Sequence, residues 1–411
     1  MTDMTSARPR TAPGTGTGDG PEAAEPVRVP APSPAPPFVP SPAPPSGAEE
    51  RADAAAGLRA HIDALYPARP GEAELREISA LPDDCALPPE TAVRLDDALV
   101  RPVRRLIERG GRRWRPRLAT AAVEALGGDP AGFGPLLAAA EILHTGSLIV
   151  DDVQDGAVRR RGAPAAHVEF GLAAALNAGT AAYFSLDRVL PDLSRDPLTQ
   201  VAMYRSFMAA LRSAHAGQGL DIAGHREAMD AAAATGDARP VLEAVRLTHR
   251  LKSGAPVRCL MELVAHTCGT DDALHRALAR YGEAVGTAYQ ITDDVQDLTG
   301  VVRDGAPTKL IGEDLRNGKV TMPLAHAVAL LPRTELTALW QSVRTPGADP
   351  GTVREAITAL VSSGALRAAR EEADHLVERA WTALSPHLPP SGAATRLHTL
   401  GRATVRRSRL A

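Results

Sequence analysis

Apolar side chains recur at about every third or fourth position through most of this chain, which is the spacing of amphipathic and buried helices. Strict alternation of apolar and polar residues, the pattern of a half-buried strand, is rare. Alanine and leucine are abundant, and aromatic residues make up only 3% of the chain, so the composition also favours helices. We therefore predict an all-α protein.

The composition divides the chain once. Residues 1–50 consist mainly of Pro, Ala, Gly, Ser and Thr and cannot bury enough apolar surface to offset their ordering entropy, so we predict a disordered tail. Residues 51–411 show no comparable shift and are predicted to form one all-α domain. Within it, residues 228–240 are predicted to form a loop.

Bulk properties argue against several classes of protein. The formal net charge of −3 gives no global basic field for nucleic acid or an anionic membrane. No apolar stretch reaches about 18 residues and no signal-peptide core is present, so stable membrane insertion is not expected. Cys85, Cys259 and Cys268 are unevenly spaced without a CxxC pair, which disfavours disulfides and zinc and fits a reducing cytoplasm.

An acidic pentapeptide, DDVQD, occurs at Asp151–Asp155 and again at Asp293–Asp297, each time after a long apolar run. Residues three and four apart share a helix face, so the first copy continues a stripe from Glu141 through His144, and the second starts at Gln290. Such acids repel one another unless a cation neutralises them. Oxygen-only clusters suit a hard ion, above all Mg²⁺ shared with substrate phosphates. The simpler alternative, two solvated acidic helix ends, is disfavoured by the identical repeat.

Arginine clusters offer partners for such phosphates. Gly110–Gly111 ends one predicted helix, and the arginines of residues 112–115 follow at once, so backbone N–H groups and guanidinium forks would together form a trap for a diphosphate. Arg159–Arg161 follows the first pentapeptide. Two simpler alternatives stay open. The arginines of residues 112–115 could form a solvated basic helix start, and Arg159–Arg161 could only neutralise the neighbouring acids.

Further polar residues lie near predicted breaks. Gln218 and Asp221 share one face of a later helix. The next helix is predicted to be interrupted at KSGAP, residues 252–256, because its glycine and proline break the hydrogen-bond ladder. A lysine at such a break can turn its ammonium into a cavity, although a lone lysine usually lies on the surface.

Together these motifs resemble the trans-isoprenyl diphosphate synthases, the polyprenyl synthetase family. The resemblance covers roughly residues 55–411 and follows the family's order of motifs: GGRRWRP, DDVQD with RRRG, GQGLD, the KS break, YQITDDVQD and GEDLRNGKVTMPL. The paired aspartate motifs are highly specific, whereas any other motif alone is weak. The resemblance implies an isoprenoid-synthase-type helical bundle with a deep central cavity, the aspartate-rich helices facing across it, and a homodimer.

The resemblance also implies roles for individual residues. Mg²⁺ and, through it, an allylic diphosphate would bind the aspartates of both motifs: Asp151, Asp152, Asp155, Asp293, Asp294 and Asp297. Asp293 would be the main ligand of the second motif. The allylic diphosphate would further contact Arg160, Lys252 and Lys319, beside Gln218, Asp221 and Gln290. Isopentenyl diphosphate would bind Arg112, Arg115, His144 and Arg161. Lys309 is a further expected substrate contact.

The implied reaction begins with ionisation of the allylic C–O bond as cations stabilise the departing diphosphate. The double bond of isopentenyl diphosphate then attacks the carbocation, and proton loss gives an all-trans chain longer by one isoprene unit. Product length depends on the cavity floor, where Gly146 and Ser147 are both small and Tyr183 and Phe184 would close it one helix deeper. We predict geranylgeranyl diphosphate as the product.

Some residues depart from the family pattern, and two other functions stay open. Arg112 stands where lysine is usual, Ser253 where threonine is usual and Val150 where histidine is frequent, which affects substrate and product more than the reaction class. A class I terpene cyclase shares the fold but normally carries an Asn/Ser/Glu triad in place of a second DDxxD. A non-catalytic partner subunit of a prenyl synthase would normally lack one or both acidic motifs.

Overall fold

The computed structural model describes residues 47–300, 302–303, 306–307 and 311–406, with side chains from residue 55 onward except in the two short segments 302–303 and 306–307. The first helix begins at Gly47, inside the segment predicted as a tail. The rest of that segment, residues 1–46, lies outside the described residues, as does Lys309.

The α-helices of the described residues are numbered in chain order. They are α1 (Gly47–Leu65), α2 (Glu72–Ser79), α3 (Pro89–Leu95), α4 (Arg101–Glu108), α5 (Trp114–Ala125), α6 (Gly134–Gln154), α7 (Ala166–Phe170), α8 (Leu172–Ala181), α9 (Pro197–Ala223), α10 (Arg226–Thr235), α11 (Arg239–His249), α12 (Ala255–Thr267), α13 (Asp272–Thr299), α14 (Glu313–Arg316), α15 (Met322–Leu330), α16 (Arg333–Val343), α17 (Pro350–Ser362), α18 (Ala365–Leu384) and α19 (Gly392–Arg406). Shorter helices are π-helical (Asp96–Val100, Arg250–Gly254) or 3₁₀ (Pro130–Phe133, Ala182–Leu186, Leu190–Asp192, Ser385–His387). The strands are β1 (Arg159–Arg160), β2 (Ala163–Pro164), β3 (Val302–Arg303) and β4 (Ala306–Pro307).

Helices account for 78% of the residues that the structure describes, so the predicted all-α class is confirmed. The core is organised around α13, whose buried residues face every side of the helix, from Ala277 to Leu298. It packs against α12 and α18, and α6 packs against α8. A helix buried on most of its sides needs neighbours around it, and the second acidic motif, which α13 carries, therefore begins inside the fold.

One stretch, Pro130–Gln154, is long and apolar enough to cross a membrane by length and composition, in contrast to the expectation from sequence. It consists of a 3₁₀ turn and α6. In its most apolar window 67% of the residues are buried inside the fold, so its apolar side chains already contact protein. The same composition therefore serves as the core helix that carries the first acidic motif.

The break predicted at residues 252–256 is not an interruption. The chain runs from α11 into α12 through one π-helical turn, Arg250–Gly254, in which the N–H of Ala255 donates to the carbonyl of Arg250. Pro256 lies in the first turn of α12, where it needs no N–H partner. The wider turn thus accommodates the proline while the helix continues, and such turns are frequent at functional sites.

Each acidic motif is followed by a two-stranded antiparallel hairpin. β1 pairs with β2, and β3 pairs with β4. In both hairpins the second strand is the Ala-Pro of a Gly-Ala-Pro sequence, so the echo in the chain extends beyond the pentapeptide. The turn between β1 and β2 is Arg161–Gly162, and both residues have positive φ, as a type I′ turn requires.

The prediction of a loop at residues 228–240 is wrong. Arg226–Thr235 forms α10, which ends at Gly236 in the left-handed conformation (φ 82°). The alanine run in this segment is a strong helix former, and its buried face packs against α11 and α16.

Candidate active site

Asp151, at the end of α6, is the centre of a charge network. Lys252 Nζ lies 3.0 Å from its Oδ1, Gln218 Nε2 donates to the same oxygen at 3.2 Å, and Arg160 Nη2 lies 3.4 Å from Oδ2. Burial raises the pKa of Asp151, but Lys252 and Arg160 outweigh burial, so the pKa is lowered and the carboxylate stays charged. Four separate segments therefore meet at this one side chain.

Asp221 on α9 joins a second lysine to the network. Its Oδ2 accepts a hydrogen bond from Lys252 at 2.7 Å and lies 3.5 Å from Lys319 Nζ. Lys319 in turn donates to Asp155 Oδ1 at 3.0 Å. Burial lowers the pKa of both lysines, yet the surrounding acids raise it above its ordinary value, so both ammonium groups are charged.

The π-helical turn that carries Lys252 packs directly against α9 and α13. A glycine on each of these helices leaves room for the backbone of the turn. A Cβ on Gly217 of α9 would lie 2.3 Å from the backbone N of Lys252, and a Cβ on Gly286 of α13 would lie 2.5 Å from the carbonyl O of Ser253. No side chain fits at either position without moving backbone. Ser253 Oγ also donates to Gln290 Oε1 at 2.7 Å, which brings Gln290 to the same wall.

Asp152 is fully buried beside Asp151. Arg160 Nε donates to its Oδ1 at 2.7 Å, and Arg160 Nη2 contacts the same oxygen. Burial lowers the pKa of Arg160, but Asp152 and Asp151 raise it well above its ordinary value. The other oxygen of Asp152, Oδ2, is buried without a hydrogen-bond partner in the described structure. A buried carboxylate oxygen left unpaired is costly unless something else engages it.

In the second motif, the first aspartate is partly exposed, whereas the other two are buried. Asp293 is half-buried. Burial lowers the pKa of Arg115, and the charge of Asp293 partly offsets this effect; the same charge adds to that of Asp152 and Asp151 in raising the pKa of Arg160. Asp294 and Asp297 are each 5% exposed. Asp294 Oδ2 accepts the backbone N–H of Met322 at 2.9 Å, and Asp297 Oδ2 accepts that of Asp314 at 3.2 Å. Two of the three expected metal ligands thus have one carboxylate oxygen bonded to the main chain, and metal binding by all three stays a prediction.

A basic wall forms beside these acids. The guanidinium of Arg115 lies 4.5 Å from the ring centre of Trp114 and 5.7 Å from that of Tyr289, and the two rings stack 4.8 Å apart. Its Nη1 lies 3.1 Å from His144 Nε2. Burial lowers the pKa of His144 far below its ordinary value, and Arg115 and Arg161 lower it further, so His144 is neutral. Because arginine only donates, Nε2 accepts and the ring proton is on Nδ1.

Arg161 is held by unusual backbone. Its φ is 52°, and its Nη1 donates to the carbonyl of Leu106 at 2.7 Å. A Cβ on Gly111 would lie 3.0 Å from Arg161 Nη2, so the guanidinium approaches the backbone of Gly111 directly. Arg112 is exposed next to this contact. The Gly-Gly turn therefore serves the arginine of another segment, which the sequence alone does not indicate.

The spacing puts Glu141 on the polar stripe of α6, although it is not among the residues expected in the site. It is buried, and burial raises its pKa while Arg161, Arg115 and Arg113 lower it. Other residues that sequence reasoning missed are Trp114, Tyr289, His249 and the backbone of Met322. The structure brings together the following predicted residues: Asp151, Asp152, Asp155, Arg115, His144, Arg160, Arg161, Gln218, Asp221, Lys252, Gln290, Asp293 and Lys319.

The donor set fits a hard divalent ion. The acids that face the network offer oxygen donors, and the orphaned Oδ2 of Asp152 is one such donor already buried there. Among the described residues no three His, Cys, Asp or Glu side chains converge on one ion-sized point. Lysine and arginine groups lie between the acids instead. The same groups are the partners a diphosphate needs.

Comparison with known proteins gives concordant results. The profile of the family described as polyprenyl synthetase matches residues 96–360. The geranylfarnesyl diphosphate synthase of Aeropyrum pernix is 32% identical over 286 residues, which is 68% of this chain and 85% of that protein. The geranylgeranyl diphosphate synthase of Mycobacterium tuberculosis is 31% identical over 278 residues, 67% of this chain and 75% of that protein. A polyprenyl synthase from Caulobacter crescentus, solved with calcium and isoprenyl diphosphate, has a TM-score of 0.67 at 25% identity, covering 88% of this chain and 97% of that one.

Proposed function

We propose that this chain, which belongs to the polyprenyl synthetase family and is a trans-prenyltransferase, condenses isopentenyl diphosphate with an allylic diphosphate and stops at geranylgeranyl diphosphate. The observation that carries the proposal is the pairing of two walls. Asp151, Asp152 and Asp293 lie with Arg160 and Lys252 on one side, and the basic wall of Arg115 and His144 lies beside them. Two anionic substrates thus have separate sets of cations.

On the allylic side, Lys252, Lys319 and Arg160 bind diphosphate oxygens. Within the protein these cations contact Asp151, Asp152, Asp155 and Asp221. The proposed cofactor is Mg²⁺, held by Asp151, Asp152, Asp155 and Asp293. When bound, it neutralises the charge that develops on the departing diphosphate. The lysines and the arginine add fixed positive charge at the same place, so the allylic C–O bond breaks with its electron pair on the diphosphate.

On the other side, Arg115 and Arg161 bind the diphosphate of isopentenyl diphosphate, and Arg112 contributes from the exposed edge. Neutral His144 orients Arg115 by accepting its N–H. This fixes the double bond of the second substrate near the allylic carbon. The double bond supplies the electron pair of the new C–C bond. The proton lost from the adjacent carbon passes to an oxygen of the released diphosphate, which leaves an all-trans product one isoprene unit longer.

The test is product analysis with purified chain, Mg²⁺ and isopentenyl diphosphate, together with dimethylallyl, geranyl or farnesyl diphosphate. Geranylgeranyl diphosphate is expected from each starter. No reaction is expected when isopentenyl diphosphate is left out. Turnover of an allylic diphosphate alone would contradict the proposal and favour a terpene cyclase.

Two of the four residues expected to set product length do not lie as expected. A Cβ on Gly146 would lie 2.5 Å from the carbonyl O of Gly179 and 2.7 Å from the Cβ of Ala182, so α6 and the α8 segment touch here, backbone to backbone. A bulky residue at 146 would separate these helices and not fill a cavity. Phe184 is 61% exposed and does not close a floor within one chain.

Ser147 and Tyr183 remain as proposed floor residues. Ser147 lies one turn before Asp151 on the same face of α6 and is half-buried. Burial raises the pKa of Tyr183 to about 12, and the negative charge of Asp151 raises it further. The allylic chain would therefore pass Ser147 first and Tyr183 next.

Replacing Ser147 by Phe is expected to shift the main product from geranylgeranyl to farnesyl diphosphate, because the ring would fill the space one turn beyond the aspartates. Chromatography of the dephosphorylated products measures the shift. Ser147→Ala is the matched control and should leave the product unchanged. An unchanged distribution from a folded, active Ser147→Phe chain would remove Ser147 from the floor.

A homodimer is proposed from α9. Its exposed apolar residues Val201 (49% exposed), Met208 (48%) and Ile222 (59%) are separated by multiples of seven, which gives a straight stripe along the helix. Leu198 and Phe184 are exposed as well. A second copy of the chain that packs along this stripe would cover them.

Sedimentation velocity tests this arrangement. Twice the chain mass is expected for the wild type, and Val201→Asp with Met208→Asp should yield monomers, because two charges would be placed in an apolar interface. Exchange of two exposed charged residues elsewhere on the fold, Glu90→Gln with Arg333→Gln, is the control. A monomeric wild type, or a dimer that survives both aspartates, would contradict it.

A cytoplasmic location is also proposed. Cys85, Cys259 and Cys268 are all free thiols, at exposed, buried and half-buried positions respectively. Unpaired cysteines are typical of a reducing compartment.

A further inference from the structure

The second aspartate of the second motif has two partners inside the protein. Asp294 Oδ2 accepts the N–H of Met322 at 2.9 Å and lies 3.3 Å from His249 Nε2. Both side chains are buried, Asp294 at 5% and His249 at 7% exposure. His249 Nδ1 has no partner in the described part of the chain, so Asp294 is the hydrogen-bonding contact that fixes this ring.

Each partner lies directly next to a lysine of the allylic side. His249 is the last residue of α11 and immediately precedes the π-helical turn that carries Lys252. Met322 is the first residue of α15, and the short segment before it carries Lys319. The two lysines come together at Asp221, with Nζ distances of 2.7 Å and 3.5 Å. One carboxylate on α13 is thus connected to both segments that deliver ammonium groups.

These contacts hold two chain segments at fixed positions relative to α13. A carboxylate at a helix N-terminus satisfies an N–H group that has no partner within the helix. A buried carboxylate with two such donors has its oxygen engaged, and it would lose both contacts if it turned to a metal ion. Asp293, one residue earlier, lies on an adjacent face of α13, and its charge acts on Arg115 and Arg160. Neighbouring aspartates therefore have different tasks.

We propose that Asp294 and His249 are positioning residues, which hold Lys252 and Lys319 at the distance that one allylic diphosphate requires, and that Asp294 binds no metal. This inference rests on the proposed function, because it assigns the two lysines to the allylic diphosphate. It distinguishes the roles of two adjacent acids that the motif alone makes equivalent.

The experiment compares Asp294→Asn with Asp293→Asn in two measurements. Steady-state kinetics should show the KM for the allylic diphosphate raised about tenfold or more in Asp294→Asn, with the KM for isopentenyl diphosphate within about twofold of wild type. Electron paramagnetic resonance of Mn²⁺ with inorganic diphosphate should count as many bound ions in Asp294→Asn as in wild type. Asp293→Asn should bind at least one ion fewer.

Two variants of the partner provide independent evidence. His249→Leu removes the contact with Asp294 without altering any acid and should reproduce the allylic KM effect. His249→Gln keeps an amide donor and should restore most of the loss. A merely structural role would lower the amount of folded protein and leave both KM values of the folded enzyme unchanged.

The proposal is overturned if Asp294→Asn loses Mn²⁺ as Asp293→Asn does, if both KM values rise equally, or if Asp294→Asn and His249→Leu both fail to fold. Failure of the proposed function would be visible separately, as a wild-type chain that makes no prenyl diphosphate. The count of Mn²⁺ bound with inorganic diphosphate would still decide the role of Asp294 in that case.

Discussion

Asp151→Asn is expected to lower kcat by about a thousandfold, the range found when one group that stabilises transition-state charge is removed. The amide has the same shape as the carboxylate but lacks the charge that attracts Lys252, Arg160 and the proposed Mg²⁺. Because Asp151 contacts three segments at once, its neutralisation alters every cation on the allylic side. Steady-state kinetics with saturating isopentenyl diphosphate and Mg²⁺ measure the change.

Asp272→Asn is the control for this substitution, since Asp272 begins α13 but its side chain is almost fully exposed. It should leave kcat within about twofold of wild type, as expected for a surface position. Circular dichroism should give the wild-type helical signal for the Asp151 variant, which checks that the lost activity is not lost folding. An Asp151→Asn chain that retains more than about a tenth of wild-type kcat would contradict the central place of Asp151.

Arg160→Met is expected to destabilise the chain by about 3 kcal/mol, because it leaves the fully buried carboxylate of Asp152 without its partner. Methionine replaces most of the side-chain volume, so the effect reports lost charge and lost hydrogen bonds more than lost packing. Activity should fall as well, since Arg160 is a proposed contact of the allylic diphosphate. Urea denaturation followed by circular dichroism measures the free energy of unfolding.

The neighbouring Arg159→Met provides the comparison. Arg159 lies on the same hairpin, but it is exposed and donates to the carbonyl of Gly162. Its replacement should change the free energy of unfolding by no more than about 0.5 kcal/mol. Equal losses in the two variants would show that the hairpin itself, and not the ion pair with Asp152, sets the stability.

The sequence predicts the helical class and most of the site because both depend on local spacing. The face shared by His144 and Asp151 follows from helix geometry alone, and the acids select arginines and lysines as partners by charge. The structure adds which segments reach them. Lys319 contacts Asp155, which lies more than 160 residues earlier in the chain. A local sequence pattern cannot predict a contact between residues so far apart.

Other predictions failed where packing between distant segments decides. Asp293 and Asp294 look alike in the sequence, and no local pattern indicates that α15 provides the N–H of Met322 to Asp294. Gly146 looks like open space, but its missing side chain allows contact with Gly179. The expected break at Lys252 becomes a wide helical turn because α9 and α13 enclose it.

The paired arrangement of acids and cations also bears on how the enzyme selects what enters. A bare divalent ion would have to displace ammonium and guanidinium groups from Asp151, Asp152 and Asp155. The displaced groups would then have no anion to bind. An ion that arrives already chelated by a diphosphate brings oxygens that the displaced groups can bind. We therefore expect the enzyme without substrate to bind free magnesium only weakly and to bind the magnesium–diphosphate complex much more tightly. Cofactor and substrate would then be recognised together.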